Sequence, residues 1–253
     1  MSDDEKKPDG TQAIRRAAAI LKHIARGPEA GVSLRDVSEA MDLSRSTAHR
    51  ILRCLLDEKL IEHGSDARRY VVGGLTFELG LAATNRQHEV MHWRARVDAL
   101  SQQTGATVYL MGRSGNECVC LYKAEGSSIV RVIPVEVGQR RPLGVGAGAT
   151  ALLAATTDGD LDRVLSAIAP YLERWPAITV ERIRENVEAA RKTGVAESRG
   201  LVVDGVYGLG IAVPADHGAP SLALSLAAHQ SAATGDRIAL WKRALAKALK
   251  NGA

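Results

Sequence analysis

Only Asp42 and Leu43 separate two helix-forming segments, and this turn constrains the fold more than any other feature of the sequence. Before it, Ser33 can cap SLRDVSEAM, with Asp36 three residues on as an acidic partner near the positive helix end and Leu34, Val37 and Met41 on one side. After it, Ser44 can cap SRSTAHRILRCLLDEK, whose Ala48, Ile51, Leu52, Leu55 and Leu56 form one apolar stripe. An earlier helix is expected where Ile14, Ala17, Ala18, Leu21, Ile24 and Ala25 fall at helical spacing, closed by Gly27-Pro28. LIEHG and RRYVV, two β-prone runs separated by residues 64–67, read as a hairpin. Three helices followed by a hairpin make a winged helix-turn-helix, assigned to residues 11–73. Residues 1–10 have no large apolar side chain after Met1 and are expected to be disordered.

Residues 74–104 return to helical character, with Leu75, Leu79, Ala82 and Ala83 on one face and Trp93, Val97 and Leu100 further on, and are read as a helical linker. Beyond Gly105 the runs TVYLMGR, ECVCLYK and SIVRVIPV, with turns at Ser114-Gly115-Asn116 and Glu125-Gly126, predict an antiparallel sheet. GAGATALLAAT, LDRVLSAI and TVERIRENVEAARKTG read as helices, YGLGIAVP and SLALSLAA as buried strands, and ALWKRALAKAL as a terminal helix. Residues 105–253 are therefore an α+β domain. Aromatic residues make up 4 % of the chain and Phe77 is the single phenylalanine, so both cores must be aliphatic. No apolar run approaches the roughly 20 residues of a membrane span, and the polar opening lacks the apolar stretch of a signal peptide. A cytoplasmic protein with no membrane partner is expected. Cys54, Cys118 and Cys120, an odd count, read as free thiols rather than a disulfide framework.

The net charge of +4 is only a mild pointer to a polyanion, but its distribution matters more: Arg45, Arg50 and Arg53 occur between Leu43 and Leu56 with no acid among them. In a helix-turn-helix the second helix enters the major groove. Its first residues face base edges, and nearby hydroxyls hold phosphates. Ser44, Arg45, Ser46 and Thr47 suit that start, with His49 and Arg50 about a turn further along. An arginine can donate two hydrogen bonds to a guanine edge. Arg35 on the preceding helix and Arg68 and Arg69 at the wing complete the expected surface for double-stranded DNA. The competing meaning is a merely solvated helix face; the short turn and the hairpin favour DNA.

Residues 88–92, HEVMH, have the spacing that on a helix puts His88 and His92 one turn apart with Glu89 beside them, as in zinc hydrolases. A metzincin-type continuation would require a glycine and then a histidine where the chain has Ala95 and Asp98, and the flanks are amphipathic. The expectation is a linker helix contacting a dimer mate, with no metal, cofactor or catalytic residue. A zinc hydrolase is the alternative. Cys118 and Cys120 share one strand face and suit core packing, although such a face can line a pocket. The run Gly144-Val145-Gly146-Ala147-Gly148-Ala149-Thr150 feeds a helix. It offers unpaired amides and the positive dipole end to an anion, or simply allows tight helix-sheet packing. No Lys-Ser/Thr pair follows, which argues against nucleotide hydrolysis.

LSRSTAHRILRCLLDEKLIEHG and RRYVVGGLTFELG together resemble the DNA-binding domain of the IclR family of bacterial transcription regulators. The likeness continues through RRPLGVGAGATALLA, RKTGVAESRG and GVYGLGIAVPADHGAP, spanning about residues 11–250 in the family's order. The resemblance implies a GAF-like α/β effector-binding domain for a small metabolite, with homodimers or homotetramers on a palindromic operator. It departs from the family in the pocket region: Ala149-Thr150 replaces the usual Gly-Lys, Gly200-Leu201 replaces an acidic pair, and Gly210 stands where cysteine is frequent. The expected function is that of a ligand-responsive transcription regulator, not an enzyme. The effector is expected to be a small carboxylate, aromatic ones included, against Tyr109, Cys120, Gly146, Ala147, Gly148, Gly210 and Ser225.

Overall fold

A computed structural model of the chain describes residues 11–82, 84–128, 134–215 and 221–250, and only the backbone of 84–87. The expected disordered tail, the middle of SIVRVIPV at 129–133 and the segment 216–220 lie outside the described residues. Two compact units, Met1–Gln87 and His88–Ala253, make up the chain.

In the first unit α1 (Gln12–Arg26), α2 (Leu34–Ala40) and α3 (Arg45–Asp57) surround an aliphatic core of Ile20, Ile24, Val37, Ala48, Leu52 and Leu55. Ser33 and Asp36 form the capping box that opens α2, with the Ser33 amide donating to Asp36 Oδ2 at 2.9 Å and the Asp36 amide to Ser33 Oγ at 3.2 Å. β1 (Val32–Ser33), β2 (Ile61–His63) and β3 (Arg69–Val72) form a sheet in the order β1-β3-β2. The hairpin was legible, but the two residues of β1 are too few to show an alternation. Gly73 then turns the chain so closely that a Cβ there would lie 2.4 Å from the Lys59 carbonyl oxygen. α4 (Gly74–Ala82) follows, tied back by the Thr76 hydroxyl to the Leu60 carbonyl at 3.0 Å. Its Phe77, Leu79 and Leu81 are exposed, Phe77 by 71 %.

α5 (Thr84–Thr104) leads into the second unit. There β4 (Thr107–Ser114), β5 (Glu117–Ala124), β6 (Arg140–Pro142), β7 (Ala196–Arg199), β8 (Val206–Ala212) and β9 (Leu222–His229) form one antiparallel sheet, in the order β6-β5-β4-β9-β8-β7. Alternation along the strands divides two cores. Tyr109, Met111, Cys118 and Cys120 share a cluster with residues of α6 (Ala147–Ala154), α7 (Asp158–Ile168) and α8 (Val180–Thr193). Val108, Leu110, Leu224 and Leu226 belong to another, with Trp93, Val97 and Leu100 of α5 and Trp241 and Leu245 of α9 (Gly235–Lys250). The buried indole of Trp241 donates to the Thr104 carbonyl at 3.2 Å, so its polar edge is satisfied inside the core. Trp93, Val97 and Leu100, read from sequence as part of a linker, thus pack in the core of the second unit. Among the described residues no helix is long and apolar enough to cross a membrane.

Gly210 of β8 lies against the start of α6, where a Cβ would stand 2.3 Å from the Ala147 carbonyl oxygen. Gly210→Val should therefore lower stability by about 2–4 kcal/mol in urea unfolding followed by tryptophan fluorescence. In the first unit, His23 Nε2 is buried without a hydrogen-bond partner among the described residues, and burial holds the imidazole below its usual 6.5 despite Asp36 nearby. Because the folded value is the lower one, the unfolded chain binds the proton first as pH falls. This contribution to stability is complete above 6.5 and is lost as pH drops through 6.5 toward the folded value. Corrected for intrinsic rates, amide exchange in α1 and α3 should quicken from about pH 7 to pH 5.5, and His23→Gln should remove that component.

Candidate functional site

Ser44 opens α3 by accepting the Thr47 amide at 3.2 Å, and its hydroxyl lies 2.9 Å from that of Thr47 and 3.1 Å from that of Ser46. The turn before it is fixed from both sides. Ser38 Oγ donates to the Leu43 carbonyl at 2.6 Å and the Leu43 amide to the Ser38 carbonyl at 3.0 Å, while Asp42 takes φ +49°, which a short polar side chain tolerates. With Ala48, Leu52 and Leu55 buried, Arg45, Ser46, His49, Arg50 and Arg53 are left exposed. Among the described residues Arg45, Arg50 and Arg53 form no ion pair, so one helix face carries uncompensated positive charge.

The other basic residues differ in how their side chains are used. Arg68 is exposed at the hairpin tip, where its amide donates to Asp66 Oδ1 at 2.9 Å. Arg69 is half-buried and donates from Nη1 to the Gly31 carbonyl at 2.8 Å, which ties the hairpin to the loop before β1. Arg35 pairs with Glu39 one turn along α2 at 2.7 Å, a fully solvated contact of small energetic weight.

Between the sheet and the start of α6 the second unit contains a small cavity that opens to solvent. Of the residues expected to bind a ligand, Tyr109, Gly146, Ala147, Gly148 and Ser225 line it; Cys120 and Gly210 do not. Gly146 is the N-cap at φ +93°, and no side chain caps the helix. The amides of Ala147, Gly148 and Ala149 therefore belong to the first turn, which has no intrahelical acceptor. Gly148 packs so tightly that a Cβ would meet Met111 Cγ at 2.9 Å and Ser225 Cβ at 3.0 Å. Gly210 lies outside the lining but permits this approach. Thr150 turns its hydroxyl to the Gly144 carbonyl at 3.1 Å and is buried. Ser225 Oγ donates to the Leu209 carbonyl at 2.9 Å and keeps lone pairs for a donor.

Sequence reasoning missed several of the walls. Met111 and Val145 are apolar lining residues, and Cys118, rather than Cys120, is the cysteine that reaches the cavity. Period-two alternation from Tyr109 could have found Met111. Arg141, on the three-residue β6, also lines the cavity and donates from Nη2 to the Pro134 carbonyl. So short a strand gave no pattern from which to place it. Burial raises the pKa of the Cys118 thiol and pushes that of Cys120 up to about 12. Both stay protonated and poorly nucleophilic at neutral pH.

In HEVMH, His92 Nε2 accepts from Arg96 Nη1 at 2.8 Å and its ring sits edge-on to Trp93 at 5.8 Å. The nitrogen a metal would need thus faces a cation. His88 and Glu89 are exposed, and among the described residues no group of three or more His, Cys, Asp or Glu is placed to hold a metal ion.

Comparison with known proteins agrees with this architecture. The IclR helix-turn-helix domain matches residues 13–65, and the bacterial transcriptional regulator IclR C-terminal domain matches residues 82–251. The HTH-type transcriptional repressor AllR of Salmonella typhimurium is 28% identical over 232 residues, covering 90% of this chain and 84% of its own. AllR of Escherichia coli K12 is 27% identical over the same shares. Among solved structures, an IclR transcriptional regulator from Alicyclobacillus acidocaldarius superposes with a TM-score of 0.77 at 24% identity, over 95% of this chain and 96% of that one. An IclR homologue from Microbacterium hydrocarbonoxydans, crystallised in complex with 4-hydroxybenzoate, gives 0.71 at 18% identity over 95% and 98%. With a winged helix-turn-helix and a ligand-domain fold that both match, the chain belongs to the IclR family of transcription regulators and is not an enzyme.

Proposed function

We infer that the protein is an effector-controlled regulator: α3 reads an operator, and a small organic acid bound at the start of α6 shifts operator affinity. The observation that carries this reading is the cavity itself, closed by an uncapped helix start on one side and apolar side chains on the other. An acid binds there with its carboxylate at the amides. It changes DNA affinity by as much as it prefers one arrangement of the protein over another. The relatives named as repressors support repression as the mode of control, and the 4-hydroxybenzoate held by a solved relative supports an aromatic acid. Phe77, Leu79 and Leu81, exposed along α4, support a homodimer or a pair of dimers, since a second copy would cover them. Two copies related by a twofold axis fit a palindromic operator. Such a protein works in the cytoplasm.

Gel shifts on genomic fragments selected by the purified protein, with and without pyruvate, benzoate and 4-hydroxybenzoate, test the function directly. At least one acid should change affinity at the selected site. If the protein selects no fragment over random DNA, it is not an operator reader.

The α3 surface generates a finer prediction. Replacing Arg45 or Arg50 by alanine should cost about 1–3 kcal/mol at the selected site and less on random DNA, as for bidentate guanine contacts. Arg68→Ala should weaken both alike and flatten the salt dependence. Arg69→Ala should also destabilise the hairpin, because its guanidinium holds the Gly31 carbonyl. Equal losses on both DNAs for Arg45 and Arg50 would limit them to phosphate contacts.

A further inference from the structure

The pocket wall contains a charge that no carboxylate among the described residues pairs with. Arg141 comes from β6 and is largely withdrawn from water; burial makes its charged form less favourable, and the like charge of Arg174 acts in the same direction. Among the described residues it donates one hydrogen bond, to the Pro134 carbonyl, and has no salt bridge. A guanidinium carries five N–H donors, and burying one without a counter-ion is costly unless something else supplies it. By contrast the adjacent Arg140 is paired, donating to Glu117 Oε2 at 3.0 Å. Two successive arginines on one strand point to opposite faces, one toward a carboxylate of the protein and one toward the cavity.

The position of Arg141 is as informative as its lack of a partner. Its Nη1 stands 3.8 Å from the point that a Cβ on Gly146 would occupy, beside the helix start. The cation and the uncapped amides therefore meet at the helix start, where Val202 also lies, while Met111 and Val135 add apolar lining. An arginine facing a row of amides suits a planar carboxylate, which can accept from both.

We propose that Arg141 is the counter-ion of the effector's carboxylate and restricts the effector to monocarboxylic acids with an apolar body. A second carboxylate on the ligand would lie against the apolar end with no cation to meet it, so dicarboxylates are excluded by the same geometry. The proposal rests on the reading of this cavity as an acid-binding effector site, and it assigns the specificity to a side chain that reading did not use.

The test is calorimetric titration of the full-length protein with pyruvate, benzoate, phenylacetate and 4-hydroxybenzoate, with the amide of the tightest binder, and with phthalate. The tightest acid should bind Arg141→Gln roughly ten- to a hundredfold more weakly than the wild type, while Arg141→Lys recovers part of the loss. The amide should bind both proteins alike, and phthalate should not bind. Ligand-free Arg141→Met should melt about 2 °C higher than the wild type, because a charge held for the ligand is removed, whereas an arginine kept for structure would give a loss. If Arg141→Gln binds the acid as tightly as the wild type, the role of Arg141 is overturned and the effector reading stands. If no acid in the series binds the wild type, the acid-effector reading falls and takes this proposal with it. A lower melting point for ligand-free Arg141→Met overturns the proposal independently of any ligand.

Discussion

The second unit depends on the close contact between the start of α6 and the strands beneath it. Gly148 and Gly210 bring helix and sheet nearer than any side chain would allow, the Gly210 Cβ position lying 2.3 Å from a helix carbonyl. Seven of the eight residues of α6 are buried, so this helix has no solvated face, and its first-turn amides meet no capping side chain where they border the cavity. Each buried donor left without an acceptor costs about 1–3 kcal/mol. A protein that keeps such a turn uncapped gives up stability where it faces a cavity, which is the usual exchange at a binding site.

Around that contact the two cores of the sheet have separate tasks. The α5 and α9 side is a hydrophobic layer closed by Trp241 and Leu245, with the Trp241 indole donating to the Thr104 carbonyl at its polar edge. The α6 side includes the cavity walls, and its polar groups are mostly committed: Thr150 to Gly144 and Ser225 to Leu209. In the first unit the division is between faces of one helix. Ala48, Leu52 and Leu55 hold α3 to the core, and the same geometry presents its arginines outward.

How much of this could be read from sequence follows from element length and from how local each interaction is. The caps at Ser33 and Ser44, the short turn and the period-two runs of β4 and β9 are local signals, and each element formed where those residues put it. β1, β6 and β7 have at most four residues and form only because a neighbouring strand is already there, so no periodicity announces them. The same limit applies to side-chain roles. That Arg69 reaches Gly31, that Arg140 meets Glu117 while Arg141 does not, and that Cys118 rather than Cys120 reaches the cavity are all consequences of tertiary register. The glycines at 146, 148 and 210 stood out in the sequence but not their separate duties: Gly146 caps the helix at positive φ and lines the cavity, Gly148 lines it too, and Gly210 only makes room.

Among the described residues β6 is the edge of the six-stranded sheet, paired on one side alone to β5 and three residues long. A substitution on such a strand disturbs one row of backbone bonds and no strand beyond, while a substitution at Gly148 or Gly210 displaces a buried helix. The cavity is thus built from one rigid wall and one forgiving wall. A substitution at Arg141, the residue of β6 that lines the cavity, would therefore alter its wall while the helix start stayed fixed.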